Sequence, residues 1–117
     1  MNEWERCGPW IQAALDHGGN LFSLDDVLEA IQIGQAQFWP GKNCALITEL
    51  KKYPQKKICN VWLAGGDLEE IKHIVTYIRL FAKQTDCDAI TLQGRPGWQK
   101  IYKQRLKAVT LMEEVSK

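Results

Sequence analysis

Apolar and polar positions follow two different periods along this chain, and the changes of period divide it into elements. Over 4–17 the apolar residues Trp10, Ile11, Ala14 and Leu15 recur at helical spacing and stop at Gly18-Gly19, where a C-cap is expected. Pro9 leaves the start of this helix open. Ser23 before Leu24-Asp25-Asp26 reads as an N-cap with acids in the first turn, and Val27, Leu28 and Ile31 line one face of a second helix running to about Gly34. Beyond it the segments are short and extended. Residues 35–39 end at Pro40-Gly41-Lys42-Asn43, 44–50 follow, and Tyr53-Pro54-Gln55-Lys56-Lys57 leads into 58–64, which predicts a three-stranded antiparallel meander. Leu68, Ile71, Ile74, Val75, Ile78 and Phe81 then mark a helix over 67–84, with Lys72, Arg79 and Lys83 toward solvent. Residues 88–93 read as a strand, Pro96 suits the first turn of a helix ending near Arg105, and 108–115 alternates like a closing strand.

The predicted architecture is one α+β domain over 1–117, in the order α-α-β-β-β-α-β-α-β. It comprises a helical pair over 1–34, a meander over 35–64 and an α-β-α-β unit over 65–117. A chain of 117 residues with 45% apolar and 25% charged content fits a single globular core. The formal net charge of +1 gives no general attraction to nucleic acid or anionic membrane. Lys51, Lys52, Lys56 and Lys57 surround a hairpin turn, where they read as keeping a sheet edge soluble, with a weak contact to a nucleic-acid phosphate backbone as the alternative. No apolar run is long enough to span a bilayer, and Met1-Asn2-Glu3-Trp4-Glu5-Arg6 lacks the order of a signal peptide, so a cytoplasmic location is expected. Cys7, Cys44, Cys59 and Cys87 form no C-x-x-C pair and share no short metal spacing with His17 or His73. Free, buried thiols and no metal site are the expectation. Trp10, Trp39 and Trp62 are assigned to the core, and Trp4 and Trp98, which flank polar segments, to the surface.

Candidate chemistry gathers in the second half. Leu63-Ala64-Gly65-Gly66-Asp67 is a strand, two glycines and a helix start, a layout that lets backbone amides face an anion. It reads equally as a tight turn capped by Asp67. Gly94-Arg95-Pro96-Gly97-Trp98 opens the helix carrying Tyr102, and Arg95 and Trp98 are residue types enriched in recognition hot spots. Glu49, on the central strand of the meander, is either a general base or the solvent-facing member of the pleat.

The order of elements resembles the GNAT N-acetyltransferase fold, with its usual first strand absent and its last missing or displaced. The resemblance implies a mostly antiparallel central sheet with helices on both faces, and acetyl-CoA as cofactor. Its pyrophosphate would lie on the amides of Leu63, Ala64, Gly65, Gly66 and Asp67. The family's loop there is longer, basic and glycine-spaced, whereas this chain has two adjacent glycines and an acid. In many members an Asn is followed after three residues by Ala and after seven by Tyr; the matching positions are Arg95, Trp98 and Tyr102, and only the tyrosine is kept. The resemblance implies Tyr102 as the acid toward the CoA thiolate and Glu49 as the base. The Gly-Arg-x-Gly-Trp segment is also similar to small phage-encoded GNAT-like proteins, including internal virion proteins of podophages that keep the fold without evident catalysis. Two functions follow as expectations. One is a phage or prophage protein acting mainly by binding a protein partner through Arg95 and Trp98, as a virion component or a modulator of a host protein in the bacterial cytosol, with a degenerate acetyl-CoA site. The alternative is a minimal acetyl-CoA-dependent N-acyltransferase. A sheet edge left by the missing outer strands would favour a homodimer.

Overall fold

The computed structural model describes residues 2–92. Helices α1 (Glu3–His17) and α2 (Leu24–Gln32) precede strands β1 (Ala36–Pro40), β2 (Cys44–Lys52) and β3 (Lys57–Gly66), followed by α3 (Leu68–Gln84) and β4 (Ala89–Leu92). This follows the predicted order as far as β4. The helix and strand expected over 96–115 lie outside the described residues, as do Arg95, Trp98 and Tyr102.

Each helix begins where a polar side chain takes an amide that the helix itself leaves without a partner. The Asn2 carboxamide oxygen accepts from the Glu5 amide at 2.8 Å, so α1 starts ahead of Pro9 and carries it inside. Ser23 and Asp26 form a reciprocal capping box: the Asp26 amide donates to Ser23 Oγ at 3.1 Å, and the Ser23 amide to the Asp26 carboxylate at 2.9 Å. Gly19, at φ +91°, turns the chain out of α1.

The sheet has the order β1-β2-β3-β4. β1–β2 and β2–β3 pair antiparallel and β3–β4 pair parallel, so the described sheet is antiparallel in two of its three pairings and mixed through the third. The cause is α3, whose length returns the chain across the sheet and sets β4 running in the same direction as β3. The strands also run further than their apolar alternation. Lys51, Lys52 and Lys57 lie within β2 and β3, and β3 continues through Gly65 and Gly66.

Helices cover both faces, as expected. On one, Ile11 and Leu15 of α1 and Val27 of α2 pack on Ala45, Ile47 and Leu63; on the other, Ile71, Val75 and Ile78 of α3 pack on Leu46, Cys59 and Val61. Trp4 belongs to the first cluster instead of the surface, meeting Phe38 edge-on at a centroid distance of 5.4 Å. Its polar neighbours in sequence mask that it shares a helical stripe with Cys7 and Ile11. Trp10 and Trp62 pack in the same cluster, and Trp39 packs on the α3 side against Phe81. All four cysteines are free; Cys7, Cys44 and Cys59 are buried as expected, but Cys87 is only half-buried. Among the described residues, no helix is long and apolar enough to cross a membrane.

Candidate functional site

The segment from Leu63 to Asp67 is built by close packing of backbone on backbone. Leu63 is buried against α1, and Gly65 and Gly66 are not a turn but the last two residues of β3, paired with Ala45 and Cys44 of β2. A Cβ on Gly65 would strike the Trp10 carbonyl of α1, and one on Gly66 would strike the Asn43 carbonyl and Cys44 Cα. Gly66 also sits at φ +108°, a backbone conformation that favours glycine. These glycines let a helix and a hairpin approach the end of a strand.

The start of α3 is closed by its own acids. The Asp67 amide donates to the Asn43 carbonyl at 2.8 Å, and the Asp67 carboxylate accepts from the Glu70 amide at 3.1 Å as the N-cap. Glu70 turns back on the β1–β2 hairpin, where both its carboxylate oxygens accept from the Asn43 amide at 3.1 and 3.0 Å. Glu69 stands in the same turn, paired with Lys72 at 3.2 Å. Arg6 of α1 grips the hairpin from the other side, donating to the carbonyls of Gly41 at 2.6 Å and Lys42 at 2.8 Å.

A pyrophosphate does not fit here. To reach the helix amides it would displace the Asp67 cap, worth about 1 kcal/mol. It would then face three carboxylates, each opposing it by about 1 kcal/mol per unit charge at contact distance in water. The helix dipole favours one negative charge at this end, and the protein supplies that charge itself.

Glu49 lies on β2 opposite Asn60 of β3, seven residues before Asp67 and therefore about 20 Å from it along the strand. It is the first member of a row of polar side chains across three strands. Asn60 Nδ2 donates to Glu49 Oε1 at 2.9 Å, and Thr91 Oγ1 of β4 donates to Asn60 Oδ1 at 2.7 Å. Lys51 Nζ meets the same Glu49 oxygen at 3.3 Å. Asn60 is only 2% exposed, and these bonds satisfy its amide at both ends. Glu49 is thus tied into the sheet and is not a free solvent-facing member of the pleat. Asn60 and Thr91 were not singled out by sequence, although an asparagine amid Ile58, Cys59, Val61 and Trp62 was the available signal. Next to Asn60 the pairing slips: Ile47 opposes Leu63 and Thr48 opposes Val61, which leaves Trp62 as an extra residue in β3. Phe22, from the loop between the two helices, stacks edge-on against it at 5.1 Å.

The structure does not bring Glu49 and Asp67 together, and Arg95, Trp98 and Tyr102 lie outside the described residues. Among the described residues, open grooves lie elsewhere. One, at the end of α3 and the approach to β4, is lined by Arg79, Lys83, Asp86 and Cys87; another, between α1 and α2, by Trp4, Gly8, Pro9 and Leu24. Among the described residues no three His, Cys, Asp or Glu side chains gather as a metal site would require.

Among the described residues, three helices lie on the two faces of a four-stranded mixed sheet, an α+β fold. Solved structures share it at low identity. A tetramutant of the BH1408 protein from Bacillus halodurans superposes with a TM-score of 0.66 at 13% identity, covering 97% of this chain and 92% of that one. A point mutant of TTHA1254 from Thermus thermophilus gives 0.62 at 12%, covering 100% and 95%. A possible acetyltransferase from Clostridium difficile 630 gives 0.62 at 7%, covering 98% and 93%. Likeness at such identities shows the fold and nothing finer. No protein-family model matches the sequence. No curated protein matches it.

Proposed function

We propose that this chain is an acetyltransferase-like fold that works by binding a protein partner, with the acetyl-CoA position given over to internal structure. The observation that carries this reading is the closed start of α3, where Asp67 caps the helix and Glu70 holds the Asn43 amide. The charge at this end has the wrong sign for a phosphate ligand. The partner-binding surface in this reading is centred on Arg95 and Trp98, whose residue types suit a hot spot. Phage or prophage origin, with the chain acting as a virion component or a modulator of a host protein, rests on the resemblance of the Gly94–Trp98 segment alone.

The competing reading is a minimal N-acyltransferase with Glu49 and Tyr102 as base and acid. It is supported by the fold and by the possible acetyltransferase among the similar structures. A thiol-release assay with acetyl-CoA and a panel of primary amines separates the two. The expected result is the background rate of acetyl-CoA hydrolysis. Turnover above background that is lost in Tyr102→Phe would replace the binding proposal with the acyltransferase.

A further inference from the structure

Uncompensated charge stands at the tip of the β2–β3 hairpin. Residues 50–57 hold four lysines and no acid in a chain whose formal net charge is only +1, so the remainder is net acidic. The register sets Lys52 directly opposite Lys57. Like charges in that position destabilise a ladder, because their Cβ atoms stand only about 5 Å apart. Among the described residues, Lys51 alone of the four has a carboxylate partner, Glu49 at 3.3 Å. Lys57 Nζ donates to the Thr85 carbonyl at 2.6 Å, which holds the ammonium without cancelling its charge.

The same turn presents an aromatic ring. Its closing bond runs from the Tyr53 amide to the Lys56 carbonyl at 2.8 Å, and Tyr53 is 49% exposed between the exposed Lys52 and Lys56. The base of the hairpin is tied down on both sides of one peptide. The Lys57 amide donates to the Asp88 carboxylate at 2.9 Å, and the Asp88 amide donates to the Lys57 carbonyl at 2.7 Å. Lysines and ring therefore project from a held platform.

We propose that this hairpin is a contact for single-stranded nucleic acid, with Tyr53 stacking on a base while Lys52, Lys56 and Lys57 meet the flanking phosphates. A phosphate near Lys52 and Lys57 relieves the repulsion that the register imposes. The contact is local, as a net charge of +1 requires. A duplex offers phosphates but keeps its base faces stacked inside, which leaves Tyr53 without a role. A bilayer surface fits less well, since Pro54 and Gln55 complete the tip and no aliphatic side chain is there to enter the headgroup boundary. The contact lies at the start of β3, the opposite end from Gly66 and α3, and is independent of how the start of α3 is read.

Fluorescence anisotropy of a labelled oligothymidylate with the full chain, repeated across a salt series, tests this. Three phosphate contacts predict that log K falls against log salt with a slope of about −2. Tyr53→Ala is expected to weaken binding about tenfold and Tyr53→Phe to leave it unchanged, since a phenyl ring still stacks. Lys52→Glu combined with Lys56→Glu is expected to weaken binding about tenfold or more. The fold is not at risk, because both side chains are exposed and Lys52→Glu replaces the like-charge pair with an opposite one. No binding at low salt overturns the proposal. Binding indifferent to the lysine variants overturns it too, since the contact is then elsewhere, as in the basic run over 95–107. Equal affinity for a duplex with no effect of Tyr53→Ala, or competition by polyglutamate on a par with unlabelled oligothymidylate, overturns it in favour of a plain polyanion contact.

Discussion

A methyl group on Gly65 would collide with the Trp10 carbonyl, and neither the strand nor the helix can yield without disturbing the core between them. Gly65→Ala is therefore expected to lower stability by about 1–3 kcal/mol in urea denaturation, as overpacking against rigid backbone does. Gly34, at φ +83° with open space around it, should lose about 1–2 kcal/mol on the same substitution, through backbone strain alone. The buried thiols give a pH signature. Burial is the chief cause that pushes Cys44 up to about 12, with Glu70 adding to it, and Cys59 up to about 11. Both are neutral in the folded and unfolded chain below pH 9. Above it the unfolded chain releases their protons while the folded chain keeps them, so stability falls as pH rises toward 11 and 12. Denaturation curves between pH 8 and 11 should show that decline, and Cys44→Ala should flatten it. At this scale, sequence identified the glycines, Asp67 and the unpaired thiols as notable. It could not say that Gly65 serves Trp10, because that contact spans 55 positions.

The starts of α2 and α3 were legible because caps are local chemistry, whereas that of α1, capped by Asn2 ahead of Pro9, was not. Ser23, Asp26 and Asp67 lie within three residues of the amides they take or the groups they offer. Ser23→Ala should cost about 1 kcal/mol. Asp67→Ala should cost a similar amount by removing the α3 cap, measured in the same way. If the acids close this helix end, Glu70→Gln should cost less than Glu70→Ala, because the amide oxygen can still accept from Asn43. Strand lengths were read short because lysines end the apolar alternation, yet long lysine stems pack along a strand while their heads reach solvent. Lys57 also lies in β3, where its ammonium is held by the Thr85 carbonyl instead of solvent. The parallel β3–β4 pairing and the Glu49–Asn60–Thr91 row depend on which strands become neighbours. No local pattern states that.

At the scale of the molecule, the fold places a helix start at the end of an inner strand, a layout in which backbone amides can face an anion. The same residues then fill that position from within, with Asp67 on the helix, Glu70 on the hairpin and Arg6 clamping the hairpin from behind. A fold-level likeness and a site-level mismatch can coexist, because core packing sets the first and a few charges set the second. The most direct measurement is thermal unfolding of the full chain against acetyl-CoA up to about 1 mM, at moderate salt. A ligand bound only by the folded state at 100 times its dissociation constant adds about 2.7 kcal/mol. For a domain of this size that raises Tm by about 10 °C or more. A helix start closed by its own acids predicts no concentration-dependent shift, and a Tm that climbs steadily with the logarithm of acetyl-CoA concentration would contradict that closure.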